Sequence, residues 1–239
     1  MEISQLKRGL IVSCQATREE PMHGPQFMAR MALASEIGGA VGVRVNGVDD
    51  ICAAKELIKI PVIGIIKRDY PGTPVRITPT LREIREVAET GAEIVAVDCS
   101  FRKRPDDSTI PQLIAAAKRE FPEMLFMADI ATVEEGKFAW ENGADIVAST
   151  LAGYPKPEDH FEGMIEFIPP SLEIIGELAQ VVKCPIIAEG RMATAENAVK
   201  ALALGAHCAV IGWSITRPQI IARNMVNTIN QYLDGVQEK

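Results

Sequence analysis

Eight short apolar runs, each bounded by turn residues, alternate with helical patterns along a chain of 239 residues. Runs of this kind suit buried parallel strands. Repetition of strand and helix suits an α/β layer fold, and the length matches the roughly 250 residues of a (β/α)8, or TIM, barrel. The predicted fold class is therefore α/β, a single (β/α)8 TIM barrel with residues 1–239 as one domain. An open doubly wound sheet is the alternative, but it requires a Gly-rich turn leading out of the first strand into a helix. Gly38-Gly39-x-x-Gly42 runs into a strand instead, and the chain holds neither a P-loop nor a G-x-S-x-G elbow.

The first strand is read at Leu10 to Ala16 and the second at Ala40 to Val45, entered through Ile37-Gly38-Gly39. The third, Pro61 to Lys67, opens with Pro, whose missing amide is tolerated at a first strand position. A helix follows with apolar residues at Leu81, Ile84, Val87 and Ala88, spaced by three and four. Thr90-Gly91-Ala92 leads into the fourth strand, Ile94 to Ser100, and the fifth is Met124 to Ile130. Asn142-Gly143-Ala144 leads into the sixth, Ile146 to Leu151, and Leu172, Ile175, Leu178 and Ala179 mark the next helix. Pro185 to Arg191 is the seventh strand, and Leu204-Gly205-Ala206 leads into the eighth, Cys208 to Ile215. The Gly that recurs between helix and strand takes the left-handed C′ conformation cheaply.

Composition narrows the function classes. With 25 Lys and Arg against 32 Asp and Glu the net charge is −7, which argues against a basic face for nucleic acid. No apolar run reaches the 18 or so residues of a membrane helix, and the amino terminus shows no secretory pattern, so a cytoplasmic location is expected. Five cysteines without C-x-x-C spacing read as reduced core thiols. His23, His160 and His207 lie far apart, so no metal site is expected. Met22, Met28 and Met31 read as core filler.

In such a barrel the reactive groups stand at the carboxyl ends of the strands. The polar residues there are Gln15, Arg44, Lys67, Asp98, Asp129, Thr150, Glu189 with Arg191, and Ser214 with Arg217 beyond. Lys67 follows a purely apolar strand on the face of Ile63 and Ile65, where desolvation lowers an amine toward the range a general base needs. A solvated rim lysine is the ordinary alternative. Glu189, on the face of Ile187, stands four strands away and hence opposite; a structural ion pair with Arg191 or Lys67 is its alternative. Gly190-Arg191 and Gly212-Trp213 follow the last two strands, where barrels of the phosphate-binding type hold phosphate with backbone amides. Thr216 reads as an N-cap before Pro218. Asp98 and Asp129 read either as hydroxyl or Lys67 contacts or as helix N-caps.

Laid out together, these stretches resemble the bacterial N-acetylmannosamine-6-phosphate 2-epimerase family. The resemblance is carried by Leu10 to Ala16, Gly39 to Arg44, Pro61-Val-Ile-Gly-Ile-Ile-Lys-Arg-Asp-Tyr70-Pro, Ile77 to Thr80, Met127 to Thr132, Thr150 to Tyr154, Ile187 to Arg191 and Ile215 to Pro218. It implies C2 epimerisation of N-acetylmannosamine 6-phosphate to N-acetylglucosamine 6-phosphate in sialic acid catabolism, without metal or redox cofactor. It also implies Lys67 as the acid/base, Glu189 as its acidic partner, and Gln15, Arg44, Asp129 and Arg217 as substrate contacts. Two departures stand out: Trp213, where relatives often have a small residue, and a long Pro155 to Pro170 segment. The expected partner is a phosphorylated amino sugar, with no nucleic acid, no membrane, and a homodimer as the assembly. Two other readings stay open on the residues alone: a Schiff-base aldolase acting through Lys67, and a silent phosphosugar sensor.

Overall fold

Most of the apolar runs are rich in Val and Ile, and each forms a strand parallel to its neighbours in the computed structural model, which describes residues 2–153 and 169–237. The strands are β1 (Leu10–Cys14), β2 (Gly42–Asn46), β3 (Val62–Ile65), β4 (Ile94–Asp98), β5 (Leu125–Asp129), β6 (Ile146–Ala148), β7 (Ile186–Ala188) and β8 (Cys208–Ile211). They close in chain order, β8 pairing with β1, into the expected eight-stranded barrel. The helices are α1 (Pro25–Ile37), α2 (Val48–Leu57), α3 (Leu81–Glu89), α4 (Ile110–Glu120), α5 (Val133–Glu141), α6 (Glu173–Val181), α7 (Ala195–Ala203), a short α8 (Trp213–Thr216) and α9 (Pro218–Gln237). None is long and apolar enough to cross a membrane.

Most strands stop short of their runs at the carboxyl end, where ladder pairing gives way to the βα loops; β2 instead starts two residues late, at Gly42, and reaches Asn46. Pro61 and Pro185 sit just outside β3 and β7. Gly39, Gly91, Gly143 and Gly205 all take positive φ between helix and strand, as the recurring motif predicts.

Period-two alternation divides the core. Val43, Val45, Val62, Val95, Val97 and Phe126 pack outward beneath the helices. Ile11, Ile63, Ile65, Ile94, Met127, Ile146, Ile187 and Val210 fill the barrel. At the amino-terminal end a 3-10 turn, Ile3–Leu6, inserts fully buried Leu6 into that interior cluster. It is tied down where the Arg8 amide donates to His207 O at 2.6 Å and the His207 ring sits 3.0 Å from Ile3 O.

Helix starts use threonine. Thr80 with Glu83, Thr109 with Gln112 and Thr132 with Glu135 form capping boxes on α3, α4 and α5. Two of the acidic partners also anchor the barrel mouth: buried Glu83 accepts from Arg68 and from Tyr70 Oη, and Glu135 accepts from the Phe101 amide at 2.9 Å.

Met28 is fully buried, with Met22 and Met31 packed against the core as filler. Cys14, Cys99 and Cys208 are buried core thiols and Cys184 is half-buried, but Cys52 is exposed on α2, contrary to the core reading.

Candidate active site

The parity that sends Ile11, Ile63, Met127 and Ile187 into the barrel sends the polar residues beyond them into its mouth. Gln15, Arg44, Lys67, Asp98 and Glu189 line one pocket there, together with Thr150 and Arg217. The cavity volume is about 150 Å³. Six basic side chains (Arg44, Lys67, Arg76, Arg102, Arg191, Arg217) line it against the carboxylates of Asp98 and Glu189, so the mouth is cationic in a chain of net charge −7.

At its centre lies a buried charge cluster. Arg44, 1% exposed, donates from both terminal nitrogens to Asp129, at 3.1 and 2.5 Å. One of those nitrogens also donates to Glu189 Oε2 at 2.6 Å. The Thr150 hydroxyl lies 2.6 Å from Asp129 Oδ1 and 3.2 Å from Glu189 Oε2. Four strands thus converge on one guanidinium, which fixes both carboxylates through charge-assisted bonds. The ion pair that Glu189 makes here is with Arg44, a partner that the alternative reading of Glu189 did not name. Arg44 Nε and Gln15 Oε1 are buried and have no hydrogen-bond partner among the described residues. Gln15 Nε2 donates to Ser13 Oγ at 2.8 Å, leaving the oxygen as the outward end.

Lys67 lies two residues beyond β3 with the parity of Ile63 and Ile65, its backbone held on both sides. Its amide donates to Asn46 Oδ1 at 2.8 Å, and Ile66 N donates to Thr78 Oγ1 while Thr78 N donates back to Ile66 O. Thr78 is buried with φ +46°, a strained setting for a β-branched residue. Burial pulls the Lys67 amine down to about 7, assisted by the positive charges of Arg44 and Arg217 and opposed by Glu189. Burial likewise raises Glu189 to about 7, against the opposing pull of Arg44 and with help from the Asp129 charge. Burial thus shifts the amine and the carboxyl toward each other, so that both titrate near neutrality.

The loops after β7 and β8 lie beside this cluster. Gly190 takes φ +98°, and a Cβ there would approach Ser149 O and Thr150 O to 3.1 and 3.2 Å, so glycine is required. Arg191, φ +56°, lines the pocket and donates to Gly153 O at 2.6 Å and Ala152 O at 3.3 Å, bracing the turn after β6. Gly212 and Trp213 open α8 at the pocket wall, and Arg217 Nε pairs with Glu20 at 2.9 Å.

Two expectations are corrected. Thr216 is the last residue of α8 and not an N-cap; its hydroxyl donates to Ser13 O at 2.9 Å, while Pro218 does open α9. Neither Asp98 nor Asp129 caps a helix. Asp98 folds its carboxylate onto the Ser100 amide and hydroxyl at 2.9 and 2.5 Å, and burial raises it. The Pro155 to Pro170 segment falls, but for its last two residues, outside the described residues. Asn46 and Glu20 escaped the sequence reading, and Thr78 entered it only inside the Ile77 to Thr80 stretch. Asn46 has the parity of Arg44 two residues on, a usable signal; Glu20 carries none.

The family model described as "Putative N-acetylmannosamine-6-phosphate epimerase" matches residues 28–231. Two relatives named "Putative N-acetylmannosamine-6-phosphate 2-epimerase" are similar over nearly the whole chain. That of Caldanaerobacter subterraneus subsp. tengcongensis is 47% identical, covering 96% of this chain and 94% of the relative. That of Enterobacter sp. is 45% identical, covering 95% of each. A solved structure, of the N-acetylmannosamine-6-phosphate 2-epimerase from Clostridium perfringens, superposes with a TM-score of 0.86 at 41% identity, over 95% of this chain and 96% of that one. On a family model spanning most of its length and relatives this similar end to end, the chain belongs to the N-acetylmannosamine-6-phosphate epimerase family.

Proposed function

We propose that this protein, as one barrel domain over residues 1–239, interconverts N-acetylmannosamine 6-phosphate and N-acetylglucosamine 6-phosphate, a step of sialic acid and amino sugar breakdown in the cytoplasm. The observation that carries the reading is the placement of Lys67 and Glu189 beyond opposite strands of one pocket, both drawn to about 7. In the open-chain sugar the C2 proton is acidified by the adjacent aldehyde, because the resulting anion delocalises onto the carbonyl oxygen. That delocalisation makes metal or redox chemistry unnecessary. Neutral Lys67 takes the proton and becomes an ammonium. Protonated Glu189 returns a proton to the other face of the planar carbon and becomes a carboxylate. Transfer from the ammonium to the carboxylate, directly or through water, restores both. Arg44 Nε and Gln15 Oε1 are buried polar atoms that can hold the sugar, and Asp129 keeps Arg44 in place.

The phosphate is assigned to the backbone of Gly190, Arg191, Gly212 and Trp213 with Arg217 as the cation. Deuterated water supplies the central test: either epimer should yield the other with deuterium at C2. A Schiff-base aldolase would instead leave a borohydride-trapped adduct on Lys67. Transfer of a C2 label from substrate to product in single turnover would reduce the two-carrier scheme to Lys67 alone. Replacing Arg217 by Ala should raise KM for the phosphosugar far more than it alters activity on the unphosphorylated sugar. Equal losses on both would remove Arg217 from the phosphate site.

A homodimer is the assembly the surface supports. α9 packs chiefly on short α8 and leaves Met225, Ile229 and Tyr232 exposed at 63%, 58% and 71%, while the barrel leaves Ile37 and Val199 exposed on α1 and α7. A second copy's α9 has the chemistry to cover such faces. Light scattering should give twice the chain mass, and Ile229→Asp should give the monomer.

A further inference from the structure

Arg217 is held from an unexpected quarter. Glu20, in the loop between β1 and α1, places Oε1 2.9 Å from Arg217 Nε and accepts on the same oxygen from Gln219 Nε2 at 2.9 Å. Its other oxygen accepts from the Thr17 amide at 2.6 Å, which fixes the carboxylate to its own loop. The pair is largely sheltered, with 16% of the Glu20 side chain and 27% of that of Arg217 exposed. Glu20 therefore grips the chain on both sides of Pro218, where α8 gives way to α9. The Arg217 side chain has no other hydrogen bond or ion pair among the described residues, so its two terminal nitrogens remain for an anion in the pocket it lines.

We propose that Glu20 is a positioning residue for phosphate recognition, tethering Arg217 by Nε so that its terminal nitrogens are presented to the phosphate of the sugar. This rests on the reading of Arg217 as the phosphate cation. A long arginine that swings freely loses rotamer freedom when it binds, and a tether removes that loss in advance. The guanidinium suits the division, because its edges are separate: one nitrogen is engaged by the carboxylate and two form a fork that matches phosphate oxygens.

The test measures Glu20→Gln, which keeps size, and Glu20→Ala. In both, KM for N-acetylmannosamine 6-phosphate should rise about tenfold, with the inhibition constant of inorganic phosphate rising in step. The kcat and the activity on unphosphorylated N-acetylmannosamine should stay within about twofold. Glu20→Ala/Arg217→Ala should be no worse than Arg217→Ala alone, since both act through one guanidinium. Unchanged KM and phosphate inhibition in both variants, a fall confined to kcat, or additive losses in the double variant would each overturn the proposal. Arg217→Ala separates the two levels. If it raises KM while the Glu20 variants do not, only the tether fails; if it leaves KM unchanged, the phosphate assignment fails and the tether with it.

Discussion

The two ends of the barrel are built from the same eight strands with the same alternation, yet they differ in kind. The amino-terminal end is closed by apolar matter, with Leu6 packed into the interior cluster of Ile11, Ile63, Ile94 and Ile187. The carboxyl end places Arg44, Asp129 and Glu189 in near-complete burial, where charges cost free energy unless each is paired. A protein optimised for stability alone would fill both ends the same way. The contrast teaches that the mouth keeps charges that the floor excludes, and that the hydrogen bonds around Arg44 are what make them tolerable.

The largest effect that would sharpen this contrast is Lys67→Ala. Its kcat should fall by about 10²–10⁴-fold, with deuterium uptake at C2 falling equally. Its melting temperature should hold or rise, since a desolvated amine is removed. Undiminished exchange at C2 would take the base role from Lys67. Next comes Arg44→Met, which strands two buried carboxylates. Denaturant unfolding should show a loss of about 3–5 kcal/mol together with lost activity; a stable, active variant would break the view that Arg44 reconciles the mouth with its burial. At the floor, Leu6→Ala should cost about 3 kcal/mol by leaving a cavity, with kcat per folded molecule unchanged. A drop in kcat there would show that the two ends are coupled.

The smallest effect concerns pH. The proposed two-carrier scheme needs Lys67 without its proton and Glu189 with one, and both sit at about 7, so kcat/KM should be bell-shaped and narrow, centred near neutrality. It falls on the acid side as the amine is protonated and on the alkaline side as the carboxyl ionises. Asp129→Asn removes a negative neighbour that helps Glu189 keep its proton, so the alkaline limb should move to lower pH. A limb that stays put would mean that it does not report Glu189.

Much of this was legible beforehand because it depends on periodicity. Eight apolar runs specify eight strands, and Gln15, Arg44, Lys67, Asp129 and Glu189 stand out as polar residues at their carboxyl ends; parity adds the inward face for Lys67 and Glu189. Thr80-x-x-Glu83, Thr109-x-x-Gln112 and Thr132-x-x-Glu135 carry a local helix-start signal of equal clarity. Read in that way, they would have removed Asp98 and Asp129 from the capping candidates.

What local pattern could not supply was the identity of partners. Arg44 is 85 residues from Asp129 and 145 from Glu189, and nothing in either neighbourhood says that the three meet. The same holds for Arg191, whose guanidinium reaches back to Gly153, and for Glu20 beside Arg217. Strand order and inward direction follow from alternation and chain connectivity, which are properties of neighbouring residues. Which buried charge satisfies which depends on barrel closure, since only a closed ring brings β2, β5 and β7 side chains to one point and excludes the water that would otherwise serve each of them.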